Sequence, residues 1–324
     1  DEQYRQKYLL FTPWSYEELG GMETPGGFLS QPLRNGKGTL LARYEIELDR
    51  QGCLAGYRLL QDGEQQRGDI WYAYLETAQP NPWYNNQTYS NTLDKRAVER
   101  FLEVTHERYK SRIGEDFGES VPAVFTDEPQ FSRKHTLNFA GSKMDVTLPW
   151  TDDLEDTYRE TYGGSLIEKL PELIWELPDQ GVSVTRYRYH DHVAERFTSA
   201  FADTYGEWCR SNHLLLTGHL MEEPTLESQC AALGEAMRSY RGIDIPGVDM
   251  LRWDLEYTTV KQAQSMAHQC GREGVMSELY GVTGWTADFR DYKLHGDWQA
   301  ALGVTLRVPH LSWVSMEGEA KRDF

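Results

Sequence analysis

Short apolar runs, each halted by polar or turn-forming residues, recur along this chain and predict strands. They are Asp69 to Glu76, Val121 to Phe125, His213 to Leu220, Ile245 to Leu251, Gly274 to Gly281 and Gly303 to Trp313. Helical spacing fills the intervals. After Asp94, a plausible N-cap, the apolar positions Val98, Phe101, Leu102, Tyr109 and Ile113 mark one helix face. Further helices are predicted near 190–211, from Leu226 to Arg241, from a capping-box start at Thr259 with Gln262, and from Thr286. Alternating strand and helix is the pattern of a parallel α/β fold. Residues 1–68 break it: an irregular region with a β-hairpin, Leu40 to Leu48 and Cys53 to Leu60, around the turn Asp49-Arg50-Gln51-Gly52.

Polar residues gather at the C-terminal ends of the runs: Glu76, Asp127-Glu128, His219, Asp249, Glu278 and His310. In a (β/α)8 barrel all such ends open on one face, where active sites lie. A doubly wound sheet would usually show a Gly-rich phosphate loop, and neither GxGxxG nor GxxxxGK[ST] occurs. The expected fold class is therefore α/β, a (β/α)8 TIM-type barrel. Only six strands are counted. With the last as the eighth, residues 69–324 hold strands three to eight, and the barrel is incomplete at the N-terminus. The hairpin is then an excursion, and Gln130 to about Thr185 an insertion after strand four containing a helical pattern from Leu154 to Leu177. Tyr8-Leu9-Leu10-Phe11 is one candidate for a disguised early strand. This count predicts further domains in a longer chain.

The 324 residues carry a formal net charge of -18, which disfavours nucleic acid and anionic membrane surfaces as partners. No run approaches a membrane span. Four scattered cysteines lack CxxC spacing, so free thiols are expected in place of a zinc ribbon or a disulfide framework. No secretory signal is evident, and a cytoplasmic setting is favoured over a secreted one, although the chain opens on Asp1. Core packing accounts for many of the ten Trp and 19 Tyr, and a sugar-binding cleft would use others. Trp83, Tyr84, Trp285 and Trp313, in loops or at strand ends, are the candidate stacking platforms. No HExxH spacing supports catalytic zinc, and no metal is assigned.

Two acids at two strand ends, Glu128 and Glu278, suggest acid/base chemistry. With the strand count above, Glu128 ends strand four and Glu278 strand seven. This resembles the retaining glycoside hydrolases of clan A, which place the acid/base and the nucleophile there. The stretches Phe125-Thr126-Asp127-Glu128-Pro129, Ser277-Glu278-Leu279-Tyr280-Gly281 and His310 to Trp313 are similar to those of large bacterial glycosyl hydrolases near the α-L-rhamnosidase family. The resemblance implies an O-glycoside or oligosaccharide substrate. Asp127 departs from it, standing where clan A enzymes usually carry an Asn that binds the sugar 2-hydroxyl. The rhamnosidase family also inverts and holds calcium near its acids, so the cofactor expectation is none, with calcium as the exception to test.

On this reading Glu128 is the general acid: the apolar run before it and Pro129 after it imply partial burial, which raises a carboxyl pKa. Glu278 is the nucleophile, with Tyr280 near enough in sequence to hydrogen-bond it. Asp127, His219, Asp249 and His310 are substrate-binding candidates. The plainer roles are a salt bridge for Asp127 and satisfied rim histidines for the other two strand ends. Glu222 and Glu223 are a spare acid pair or, with Asp249, calcium ligands. The rivals are an inverting rhamnosidase-like hydrolase and a non-catalytic carbohydrate-binding barrel.

Overall fold

The structure is a computed structural model that describes residues 1–19, 34–65, 67–253, 255–284 and 286–311. The chain divides into two compact units that it visits alternately. One comprises Asp1–Val98, Phe131–Phe197 and Cys230–Gly234, the other Glu99–Gln130, Thr198–Gln229 and the chain from Glu235 on. Among the described residues no helix is long and apolar enough to cross a membrane.

The first unit is built on a five-stranded antiparallel sheet. Its strands are β1 (Lys7–Thr12), β2 (Thr39–Leu48), β3 (Leu54–Leu59) and β4 (Asp69–Thr77), with a late strand, Val146–Pro149, numbered β6 in chain order. Their order is β3-β2-β4-β1-β6. The predicted hairpin is present as β2 and β3. It is no excursion, because β2 also pairs with β4. Phe11 stacks on Trp71 at 5.3 Å, and Trp71 meets the edge of Trp175 at 5.1 Å. Both indoles are buried, together with Leu9, Tyr44, Ala73 and Leu148.

The second unit carries five parallel strands: β5 (Ala123–Asp127), β7 (Leu215–His219), β8 (Ile245–Met250), β9 (Met276–Leu279) and β10 (Leu306–Pro309). They lie in chain order, β10-β9-β8-β7-β5, each bonded to the next. Such an order needs a crossover of one hand between neighbours, which helices supply. The helix Tyr257–Gln269 between β8 and β9 buries Val260, Ala263 and Ala267, one helical stripe. It starts one turn earlier than its predicted cap: the Glu256 carboxylate accepts the Thr258 and Thr259 N–H groups. The last helix, Phe289–Leu302, opens on a capping box of Asp288 and Asp291.

The eight-stranded barrel is therefore overturned. The run at Asp69–Thr77 is not barrel strand three: it pairs antiparallel with β1 and β2 in the other sheet. A strand covered on both faces is apolar throughout whether its neighbours run parallel or antiparallel, so its pattern does not reveal its partners. Tyr8 to Phe11 is a strand, as suspected, but it is β4's antiparallel neighbour, with Leu10 opposite Tyr74. The expected insertion over 130–185 contributes β6 to that same sheet. Its helical pattern resolves into an α-helix, Leu154–Tyr162, and a 3-10 turn, Ile167–Leu173. Helix 95–113 breaks at Thr105, and Phe101, on the predicted apolar face, packs its ring against His106 and Tyr205 while staying partly exposed.

Gly218, the penultimate residue of β7, has φ +129 and faces the backbone of β5. A Cβ there would overlap the carbonyl oxygen of Thr126. The close approach sets Asp127 opposite His219. Gly218→Ala is expected to cost about 2–5 kcal/mol, from overpacking plus a backbone angle that L side chains avoid. Chemical denaturation of the purified variant checks this, and an unchanged midpoint would refute it.

Candidate active site

The second unit brings six of the strand-end candidates, His310 among them, to one edge of its parallel sheet. Cross-strand pairing sets Asp127 against His219 and Asp249 against Glu278. His219 is the hub. Its Nε2 lies 2.8 Å from Glu278 Oε2 and 3.5 Å from Asp127 Oδ1, and its side chain is 2% exposed. The edge of Phe125 meets its ring at 5.4 Å. Ligating atoms of Glu128, His219 and Asp249 lie within 4.8 Å of one another. Glu128 and Glu278 thus share one imidazole.

Alternation along β5 would point Asp127 and Glu128 to opposite sides. The backbone of Glu128 instead turns left-handed, φ +45, and both acids come to bear on His219. Glu222 (φ +58), Tyr280 (φ +72) and Val282 (φ +51), in the loops after β7 and β9, share this conformation. Each such residue costs about 1–3 kcal/mol, and Val282 is β-branched, the least tolerant kind. Strain concentrated at strand ends around a group of acids is a mark of a functional site.

The electrostatics push the two glutamates apart. Burial carries Glu128 up to about 7, with Asp249, Asp127 and Glu222 adding to the effect and His219 opposing it. The hydrogen bond from His219 holds Glu278 below the ordinary glutamate range, against burial and with help from the charges of His219 and His310. Burial alone would lower His219. Its bond to Glu278 and the neighbouring Glu223, Asp249 and Asp127 carry it up to about 9. At neutral pH the centre therefore holds an imidazolium, an ionised Glu278 and a Glu128 close to half-protonated. Burial also raises Asp249, whose Oδ1 is buried without a partner.

A hollow of about 320 Å³ opens beside Asp249, lined by Pro224, Met250, Leu251, Arg252, Glu256, Thr259 and Val282 as well. Its volume lies at the lower end of the range for small-molecule sites. Asp249, Arg252 and Glu256 give it charged groups of both signs.

The other candidates are placed as follows. His310 lies against Gly281 and accounts for part of the lowering of Glu278. Tyr280 does not support Glu278 as expected. Its left-handed backbone turns the ring onto the last helix, against Tyr292 at 5.0 Å and His295 at 6.2 Å. Trp83 falls in a short turn, Pro82–Tyr84, of the first unit. Trp285 and Trp313 lie outside the described residues. Glu76, the remaining strand-end acid, is fully buried in β4 of the first unit.

Calcium does not fit the donor set. The expected trio of Glu222, Glu223 and Asp249 does not form, because both carboxylate oxygens of Glu223 take backbone N–H groups. The group that does form, Glu128, His219 and Asp249, offers two carboxylates and one nitrogen. Calcium takes six to eight oxygens, more than two carboxylates supply, and an imidazole nitrogen is not among its usual donors.

Sequence reading named Glu223 only as a spare acid or calcium ligand and missed its place beside Tyr240 beneath the site; it took Thr259, which lines the hollow, only for a helix cap. One signal was available: Glu222-Glu223-Pro224 after β7 repeats the pattern of Asp127-Glu128-Pro129 after β5.

No protein-family model matches the sequence, and none of the curated proteins matches it. Among solved structures, a rhamnosidase from Novosphingobium sp. PP1Y is similar in fold, with a TM-score of 0.55 and 19% identity. The match covers 79% of this chain and 24% of that one, so the chain spans about a quarter of the neighbour's length.

Proposed function

We propose that the protein is a glycoside hydrolase in which Glu128 is the general acid and Glu278 the nucleophile of a retaining double displacement. The observation that carries this reading is the pair of glutamates around His219, one raised to about 7 and one held low. Hydrolysis of a glycosidic bond needs both states at once: a proton for the leaving oxygen and a carboxylate for the anomeric carbon. The imidazolium of His219 keeps Glu278 ionised without removing the proton from Glu128. The fold likeness to a rhamnosidase supports the substrate class, a glycoside, more than any particular sugar.

A screen of aryl glycosides against the purified protein, with proton NMR of the first-released anomer, tests the reaction and its stereochemistry together. Retention is expected. An inverted first product would make Glu278 the base that activates water, the rhamnosidase-like alternative. Binding without turnover on every glycoside would leave only a carbohydrate-binding role.

Because the donors do not suit calcium, treatment with EDTA is expected to leave the rate within about twofold of the untreated protein. A rate lost to EDTA and restored by calcium would overturn this metal-independent reading.

A further inference from the structure

The site leaves one buried acid unused. Glu223 is 3% exposed, and two backbone N–H groups donate to its carboxyl, while the Tyr240 hydroxyl beside it also reaches the Gly247 carbonyl at 2.9 Å. Oε1 accepts the Leu220 N–H at 3.0 Å and faces the Tyr240 hydroxyl at 3.1 Å, while Oε2 accepts the Asp249 N–H at 3.2 Å. The main-chain carbonyl of the same residue accepts Gln229 Nε2 at 2.7 Å and Gln262 Nε2 at 3.1 Å. Gln229 is 1% exposed and is itself fixed by the Ala236 N–H. Residue 223 is thus held at both ends, and its side chain reaches from one strand end to the next.

What it grips matters. Leu220 is the residue directly after His219, and Asp249 belongs to the acid group. We propose that Glu223 is a positioning residue: a single carboxylate that sets the backbone behind His219 at a fixed distance from the backbone of Asp249, and through His219 aligns Glu278. The proposal rests on the glycosidase reading and deepens it. A carboxyl does this work because each of its two oxygens can accept a backbone N–H, whether the group is ionised or, with burial pushing it up to about 8, protonated. A glutamine would turn an NH2 toward one of the two backbone N–H groups, leaving that donor buried and unpaired.

Glu223→Gln in the purified protein is the test, with two readouts: steady-state kinetics on the best aryl glycoside, and the ring-nitrogen NMR signals of His219. The expected result is kcat per folded molecule lower by about 10–100-fold, KM within about threefold, and shifted His219 signals, since displacements near 1 Å cost that much. A lowered melting temperature with unchanged kcat and unchanged His219 signals would reduce Glu223 to a loop strut and overturn the proposal. If the wild-type protein hydrolyses no glycoside, the glycosidase reading fails and the His219 signals alone decide: a shift supports the link, none refutes it. Should Glu223→Gln not fold, Tyr240→Phe removes the hydroxyl held between Glu223 Oε1 and the Gly247 carbonyl and spares the carboxyl. A twofold to tenfold loss of kcat with shifted His219 signals is then expected, and no change in either sinks the idea.

Discussion

Glu278→Gln is expected to lower kcat on an aryl glycoside by about 10⁴-fold or more, with KM little changed and the protein still folded. The amide is nearly isosteric, and its oxygen can still accept the hydrogen bond that His219 donates at 2.8 Å. What disappears is the negative charge that attacks the anomeric carbon, and no neighbour replaces it. Asp127 contacts the same nitrogen at 3.5 Å, but its side chain is 74% exposed. Burial makes Asp249 harder to ionise than a free aspartate. A kcat within tenfold of wild type, measured on a preparation whose circular dichroism is unchanged, would remove Glu278 from the reaction.

The strands that carry these acids could be read from the chain, because β5 and β7 to β10 are short apolar runs cut off by charge, proline or glycine. Their partners could not. β4 reads like a barrel strand, and its antiparallel pairing with β2 and, across the longest separation, with Tyr8 to Phe11 shows that it belongs to another sheet. The latter pairing joins residues more than sixty positions apart, a separation at which no local propensity acts. The site divides along the same line. Glu128, Glu278, His219 and Asp249 were legible individually as polar residues ending apolar runs. Their convergence on His219 was not, since its bond to Glu278 spans the intervening β8. Nor was the left-handed turn at Glu128, which places two adjacent acids near one ring where strand alternation would part them. Tyr280 shows the converse: adjacency to Glu278 suggested a hydrogen bond, and one backbone angle sent the ring elsewhere.

Glu128→Gln should show its effect through the leaving group and through pH. On a glycoside with a poor leaving group kcat/KM is expected to fall by about 10²–10⁴-fold, the usual worth of a positioned general acid. On a dinitrophenyl glycoside, whose leaving oxygen needs no proton, the loss should shrink to a few-fold. Wild-type kcat/KM should be bell-shaped. It falls as pH rises through about 7, because Glu128 loses the proton it must donate. It falls again at low pH, below the ordinary glutamate range, as Glu278 gains a proton and can no longer attack. The variant has nothing to lose at the upper limb, so that limb should vanish while the acid limb stays. Stability supplies an independent sign. Glu128 is harder to ionise in the folded chain than in the unfolded one, so its charge at pH 8 opposes folding. The neutral amide removes that opposition, and the variant should melt no lower than wild type at pH 8, although it has lost most of its activity. An alkaline limb that survives in Glu128→Gln would assign the proton to another group, and the raised carboxyl at Glu128 would then have no part in the bond cleavage.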